Sequence, residues 1–255
     1  MKRTVFFVGI VLVFVLPTAS FAMGLELAVG GWRQGPEGDV SYEAVTDTDS
    51  LDLERDLNYD NENRFMGRLK FETPLFFPNI YLMATPMEFD GRGRKAVSFK
   101  FGDVSFSGNV DFYSKIVLDH YDVAFYYGLP FLKTATAGVL NAELGVNVRV
   151  VDFKAEVKQD DTGLRETKSM TLPVPMGYLA LAIRPFDRIA LEAEGRGVAY
   201  SGNHYYSLIG RLRVKVFGPL FAAGGYRYED IKIDEEDVEA EVTFAGPFVE
   251  IGFKF

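Results

Sequence analysis

The chain closes on FVEIGFKF, residues Phe248–Phe255, and the alternation inside that stretch decides how the rest is read. Val249, Ile251, Phe253 and Phe255 are apolar, with Glu250, Gly252 and Lys254 between them. A period of two marks a strand with one apolar and one polar face. In a soluble sandwich the polar face meets water. In a membrane barrel the apolar face meets lipid and the polar face lines the lumen.

Working back from the end, the same alternation recurs. RLRVKVF (211–217) sets Arg211, Arg213 and Lys215 against Leu212, Val214 and Val216. ALEAEGRGVAY (190–200) sets Glu192, Glu194 and Arg196 against Leu191 and small residues. LNAELGVNVRV (140–150) opposes Asn141, Glu143, Asn147 and Arg149 to Leu140, Leu144, Val146 and Val148. RFMGRLKFE (64–72) opposes Arg64, Arg68, Lys70 and Glu72 to Phe65, Leu69 and Phe71. A sandwich would need one whole outer surface of each sheet for these charges, whereas a transmembrane antiparallel barrel gathers them into one lumen.

The front of the chain points to the same compartment. Lys2 and Arg3 precede the apolar run Val5–Leu16, Pro17 breaks it, and Ser20-Phe21-Ala22 offers small residues at alternate positions. This reads as a signal peptide over 1–22, too short to span as a helix, followed by one barrel domain over 23–255. The chain has no cysteine, so burial and hydrogen bonds must hold it together. Against 36 acidic residues stand 27 basic ones, and without Lys2 and Arg3 the net charge falls to −11. That acidity argues against nucleic acid as a partner.

Connections count the strands. Short links fall at 74–79, 128–138, 184–188 and 217–220; longer or more polar ones fall near 35–63, 91–110, 158–167, 201–204 and 230–238. Their alternation predicts an up-and-down barrel of ten strands with both ends in the periplasm, or eight if the 80–128 region is irregular. The slip at Val150-Val151 predicts a bulge, beyond which Asp152, Lys154 and Glu156 point outward. Pro173 and Pro175 belong near an outer edge, and Pro247 predicts imperfect pairing at the upper end of the last strand. The small residues Ala193, Gly195, Gly197, Ala222 and Gly224 on the lipid face suit either a seam between strands seven and nine or close packing of neighbouring barrels.

The terminal phenylalanine with Val249, Ile251 and Phe253 resembles the C-terminal assembly signal of bacterial outer-membrane proteins. That likeness implies recognition by the barrel-assembly machinery. LAVGGWRQGPEGDVSY (27–42) and LFFPNIYLMATPMEFDG (75–91) resemble a family of small proteobacterial outer-membrane barrels marked by an N-terminal Gly-Gly pair, here Gly30-Gly31. The resemblance implies a barrel in the outer membrane of a Gram-negative cell and no particular activity.

The lumen phase gathers Arg64, Arg68, Lys70, Arg149, Arg196, Arg211, Arg213, Lys215, Arg227 and Lys254 against Glu26, Glu72, Asp122, Glu143, Glu192, Glu194, Glu229 and Glu250. Charges inside a small barrel must pair, so the set reads as a cross-linked filling; the alternative is a narrow selective channel. The acidic first loop, 35–63, contains Asp56, Asn58, Asp60 and Glu62 at calcium-loop spacing. It lacks the glycine and the final glutamate that such a loop needs, as Asn61 and Gly67 stand there. The second loop, with Arg92, Arg94, Lys95 and Lys100, suits lipid phosphates, and outer-membrane lipid and lipopolysaccharide are the expected partners. His120 with Asp122 resembles the Asp–His chemistry of omptin proteases in reversed order. His204 and Ser207 resemble the lipid A deacylases, but three residues apart they face opposite sides of a strand. The expectation is therefore a non-enzymatic barrel with no cofactor, acting in envelope integrity or surface interaction, with a transporter of small or apolar solutes as the alternative.

Overall fold

The computed structural model describes residues 24–74, 76–235 and 238–255; the segment read as a signal peptide lies outside them. The strands in chain order are β1 (Gly24–Tyr42), β2 (Leu51–Asp52), β3 (Glu62–Glu72), β4 (Asn79–Thr85), β5 (Glu88–Arg94), β6 (Phe99–Phe101) and β7 (Val104–Phe106). There follow β8 (Asp111–Gly128), β9 (Leu140–Gln159), β10 (Leu164–Phe186), β11 (Ile189–Tyr200), β12 (Asn203–Phe217), β13 (Leu220–Glu235) and β14 (Val238–Lys254). One short helix, α1 (Pro130–Ala135), joins β8 to β9.

Sequential neighbours pair antiparallel, and β14 returns to pair with β1 from Glu26↔Lys254 up to Tyr42↔Val238. This closes a ten-stranded barrel, in which β4 and β5 are successive parts of one wall strand and β2 merely extends the loop beside β1. Closure removes the sheet edges that lipid cannot hydrate. Both described ends of the chain lie with the short turns, here called the lower end. The break between β4 and β5 falls at Pro86, which has no N–H to give; the Gln34 side chain bonds its carbonyl, and the Asp119 carboxylate takes the Met87 amide.

The outer surface carries a belt of exposed apolar side chains, among them Val29, Leu82, Leu144, Val146, Leu179, Leu208, Leu212, Val249 and Ile251. Exposed aromatic residues flank it: Phe65, Tyr121, Tyr206 and Tyr226 above, Phe76, Phe77, Phe131, Phe186, Phe217 and Phe255 below. An apolar band between two aromatic girdles is the outer face of a transmembrane barrel. Above the band the outward residues turn polar, at Arg33 on β1, Asp119 on β8, Asp152 on β9 and Asp230 on β13.

Several details depart from the sequence reading. No bulge occurs at Val150-Val151: β9 pairs in unbroken register with β8 and β10. Asp152 and Lys154 do point outward, but the phase never changed. Instead the strand leaves lipid for water while the interior becomes apolar, so Val151, Ala155 and Val157 are buried. At Pro247 the β1–β14 ladder skips Arg33-Gln34 and resumes at Gly35↔Ala245, so the imperfection is local and not at the strand's upper end. Strands β11 to β13, seven to nine around the wall, pair along their lengths, so the small residues there open no seam. The β11–β12 turn is two residues, Ser201 and Gly202 at φ +51° and +89°, the left-handed pair that a type I′ hairpin requires.

Candidate functional site

The bore is filled in two layers of opposite chemistry. The lower layer is ionic. Arg68 makes two hydrogen bonds to Glu250, at 2.9 and 2.8 Å, and stands 2.8 Å from Glu26. Arg211 reaches Glu192, Glu194 and Glu250 at 2.6, 3.1 and 3.2 Å. Arg213 bridges Glu26 and Glu192 at 3.0 and 2.8 Å, and Lys254 adds a 2.9 Å contact to Glu26. Lys70 pairs with Glu143 at 2.9 Å under a cage of Tyr81, Tyr126 and Tyr178. Arg196 stands 3.6 Å from Glu194 with its guanidinium over the Tyr81 and Tyr178 rings.

A second ionic cluster sits above. Arg149 grips Asp122 through two 2.9 Å hydrogen bonds and touches Glu229 at 3.1 Å. Glu229 also accepts from Arg227, Tyr205 and Ser207, while Arg227 lies over the Trp32 ring and bonds Thr85. Every carboxylate in this cluster faces at least one guanidinium, which is what lets ions persist in so dry a space. At the lower mouth a cavity of about 30 Å³, lined by Glu26, Lys70, Glu143, Glu194 and Arg211 among others, has room for water.

Lys215 and Glu72 stand apart from this network. Lys215 is exposed at the lower rim and Glu72 is half-exposed there, 3.9 Å from Lys254, because both lie past the level at which the wall encloses them. Arg64 sits higher, bonding the Glu88 carbonyl. Val249, Ile251, Phe253 and Phe255 all face outward on the closing strand. Gly30 takes the lumen phase of β1 and Gly31 the lipid phase.

The upper half of the bore was hidden from the sequence reading. Loops one and two, read as exposed charged segments, fold inward and plug it. Leu51, Leu53, Leu57 and Tyr59 from loop one, Phe99, Phe101 and Phe106 from the β6–β7 hairpin, and Phe89, Phe112 and Phe244 from the wall are all buried. Phe99 packs on Phe106 and Phe112 with ring centres 5.2 and 5.1 Å apart, and Phe89 stacks on Phe244 at 5.3 Å. Each such side chain contributes about 1.5–3 kcal/mol of burial.

The opposite charges of the two loops serve this plug. Lys95 holds Asp56 at 3.4 Å and bonds the Ser50 carbonyl, and Lys100 faces Glu43 at 3.7 Å. These lysines are therefore spent on loop one instead of lipid phosphates; Arg92 and Arg94 stay exposed. Asp56 is taken by Lys95 and Glu62 leans toward Arg64 at 3.6 Å, and among the described residues no three carboxylates or histidines gather where an ion would sit.

Buried Asp49 ties the loops together, accepting from the amides of Lys100, Val45 and Thr46 and from the Thr46 hydroxyl. Burial pushes its carboxyl up, but these donors outweigh burial and hold it at about 2, below its ordinary 3.8. A carboxyl depressed on folding adds stability that is whole above the unfolded value and is lost as pH falls through the folded one. Pepsin cleavage within loop one should therefore rise as pH drops from 3.8 toward about 2. Asp49→Asn should remove that rise by leaving loop one cleavable throughout the range; an unchanged pH profile in the variant would discount the clasp.

The pairings offered by the two histidines in the sequence do not form. His120 and Asp122 do share the inner face, but Asp122 is engaged by Arg149 while the His120 ring meets the Leu118 carbonyl and Arg227. His204 lies by Asp230 on the outer side, and Ser207 faces inward to Glu229.

No protein-family model matches the chain, and no curated protein does. Among solved structures it is similar to Ail, the attachment invasion locus protein of Yersinia pestis, at 13% identity and TM-score 0.35 over 91% of this chain and 99% of that one. The translocator domain of the autotransporter NalP from Neisseria meningitidis matches at 12% identity and TM-score 0.34, over 90% and 88% of the two chains. The transport unit of AIDA-I from Escherichia coli matches at 10% and 0.36, over 96% and 93%. Likeness at that level carries no functional argument.

Proposed function

We propose that this chain is a non-conducting, non-enzymatic barrel of a Gram-negative outer membrane, with its termini in the periplasm, acting in envelope integrity or surface interaction. The observation that carries the proposal is the occupied bore: buried ion pairs line it below and buried aromatic residues of the loops fill it above. Its partners on this reading are outer-membrane lipid and lipopolysaccharide around the belt. The barrel-assembly machinery would engage the strand bearing Val249, Ile251, Phe253 and Phe255. Membership in the Gly-Gly-marked family rests on the resemblance around Gly30-Gly31.

The surface available to a partner is the wall above the belt, because loop one is committed to the plug. It presents charges of both signs, including Glu37, Asp39, Asp152, Lys154, Arg165, Lys232 and Glu241. Planar bilayers containing the refolded protein should stay electrically silent, with folding verified by a heat-dependent gel shift. Arg213→Glu should also be silent and less stable, since it sets a carboxylate against Glu26 and Glu192. Steady openings whose ion selectivity changes in the variant would overturn the proposal in favour of transport through the lumen.

A further inference from the structure

Two depressions adjoin on the outer wall around β1, β3 and β14. The lower one, about 700 Å³, lies within the apolar belt. Val29, Leu69, Leu82 and Ile251 rim it, and Gly67 and Ala84 keep its floor low. The upper one, about 320 Å³, lies at the upper aromatic girdle, between Phe65 and Val249 over Gly31. Strand register joins them. Val29 pairs with Gly67 and Ile251 beside the lower depression, and one outward position higher Gly31 pairs with Phe65 and Val249.

The top of this trough is polar. Arg33 and Asn63, partners across β1 and β3, line the upper depression, and both are exposed. Arg33 forms no ion pair with any described residue. The nearest carboxylate farther up β1, Glu37, stands two outward positions above it, about 13 Å along the strand. The upper depression also coincides with the interruption of the β1–β14 ladder beside Pro247.

The two glycines have no backbone reason to be there. Neither Gly31 nor Gly67 has a positive φ. A Cβ at Gly31 would meet nothing within 4 Å, and one at Gly67 would meet only the Ala28 carbonyl oxygen at 3.9 Å. Glycine inside a strand weakens it, and its use there marks a place where another molecule comes close.

We infer that the trough holds one phosphate-bearing lipid of the leaflet at the loop end, its phosphate on Arg33 and Asn63 and one acyl chain over Gly31 and Gly67. The order of chemistry up the wall selects this occupant. In the belt the trough opens to hydrocarbon, so an acyl chain fills it. Just above the girdle a guanidinium without a carboxylate partner suits the anion that membrane lipids carry at that height. The inference rests on the proposed outer-membrane placement and adds to it a specific seat for one lipid.

The test is native mass spectrometry of the protein refolded in detergent micelles, with diphosphoryl lipid A as the probe. Folding is verified by the gel shift, and insertion into vesicles is scored separately. The unaltered protein should retain one lipid A molecule. Arg33→Ala should weaken retention about tenfold, the loss expected for one hydrogen-bonded contact to a charged group. Gly31→Leu combined with Gly67→Leu should weaken it similarly by filling the trough. Gly210→Leu, at an outward belt glycine whose Cβ would also meet nothing within 4 Å, should leave retention unchanged. Equal retention by the unaltered protein and Arg33→Ala would overturn the inference, as would an equal loss in Gly210→Leu. So would displacement of the lipid by inorganic phosphate, which would make Arg33 a free-anion site, or a lipid-free dimer that the leucines dissolve, which would give the trough to a second barrel. A protein that does not insert into vesicles sinks the membrane placement too, whereas one that inserts without retaining lipid A sinks this inference alone.

Discussion

Glu229→Ala should destabilise the barrel by about 3–5 kcal/mol, the usual penalty for stranding a buried charge by deleting its partner. Glu229 is fully buried and is shared by Arg149 and Arg227, with the Tyr205 and Ser207 hydroxyls also donating to it. Its removal leaves Arg149 with Asp122 alone and Arg227 with no carboxylate. The matched control is Glu72→Ala at the lower rim, where the side chain is 55% exposed and the change should stay within about 0.5 kcal/mol. Urea titration of vesicle-folded protein, read by the folded and unfolded gel bands, distinguishes the two. Similar midpoints for both variants would show that the ionic filling is incidental to stability.

Gly93→Leu should expel loop one from the upper bore. A Cβ at Gly93 would stand 1.8 Å from the Asp56 carbonyl oxygen, and one at Gly91 would stand 2.3 Å from that of Leu57. These contacts are with backbone on the inner face of β5, so no side-chain rotation relieves them. Loop one must leave, taking Leu51, Leu53, Leu57 and Tyr59 out of the core at about 1.5–3 kcal/mol apiece. Trypsin cutting after Arg55 should accelerate by orders of magnitude while the barrel below keeps its gel shift. Bilayers should nevertheless stay silent, because the lower ionic layer remains. Unchanged cleavage would mean that the loop finds another seat inside.

Much of the wall was legible because lipid imposes a simple rule. Wherever Val, Leu and Phe alternate with Arg, Lys and Glu, as in Arg211–Phe217 or Arg64–Glu72, the apolar side must meet hydrocarbon and the charges must pair inside. The lumen residues on those strands could be named from parity alone, apart from Lys215 and Glu72, whose height along the wall parity does not record. The plug gave only faint signals: the Gly91-Arg92-Gly93 spacing, and the opposite charges of the two loops. Neither says which segment approaches which glycine.

Sequence by itself determined the closing strand and most of the ionic lining and favoured ten strands over eight, since each follows from local period and connection length; the structure decided for ten. Only the tertiary structure decided where alternation changes its meaning. Along β9 one unbroken phase runs from Glu143 and Arg149, charged and inside, to Val151, Ala155 and Val157, apolar and inside. The reason is that the loops carry their own apolar residues back into the bore. Period-two patterning tells the two faces of a strand apart, and what lies against each face depends on segments distant in the chain.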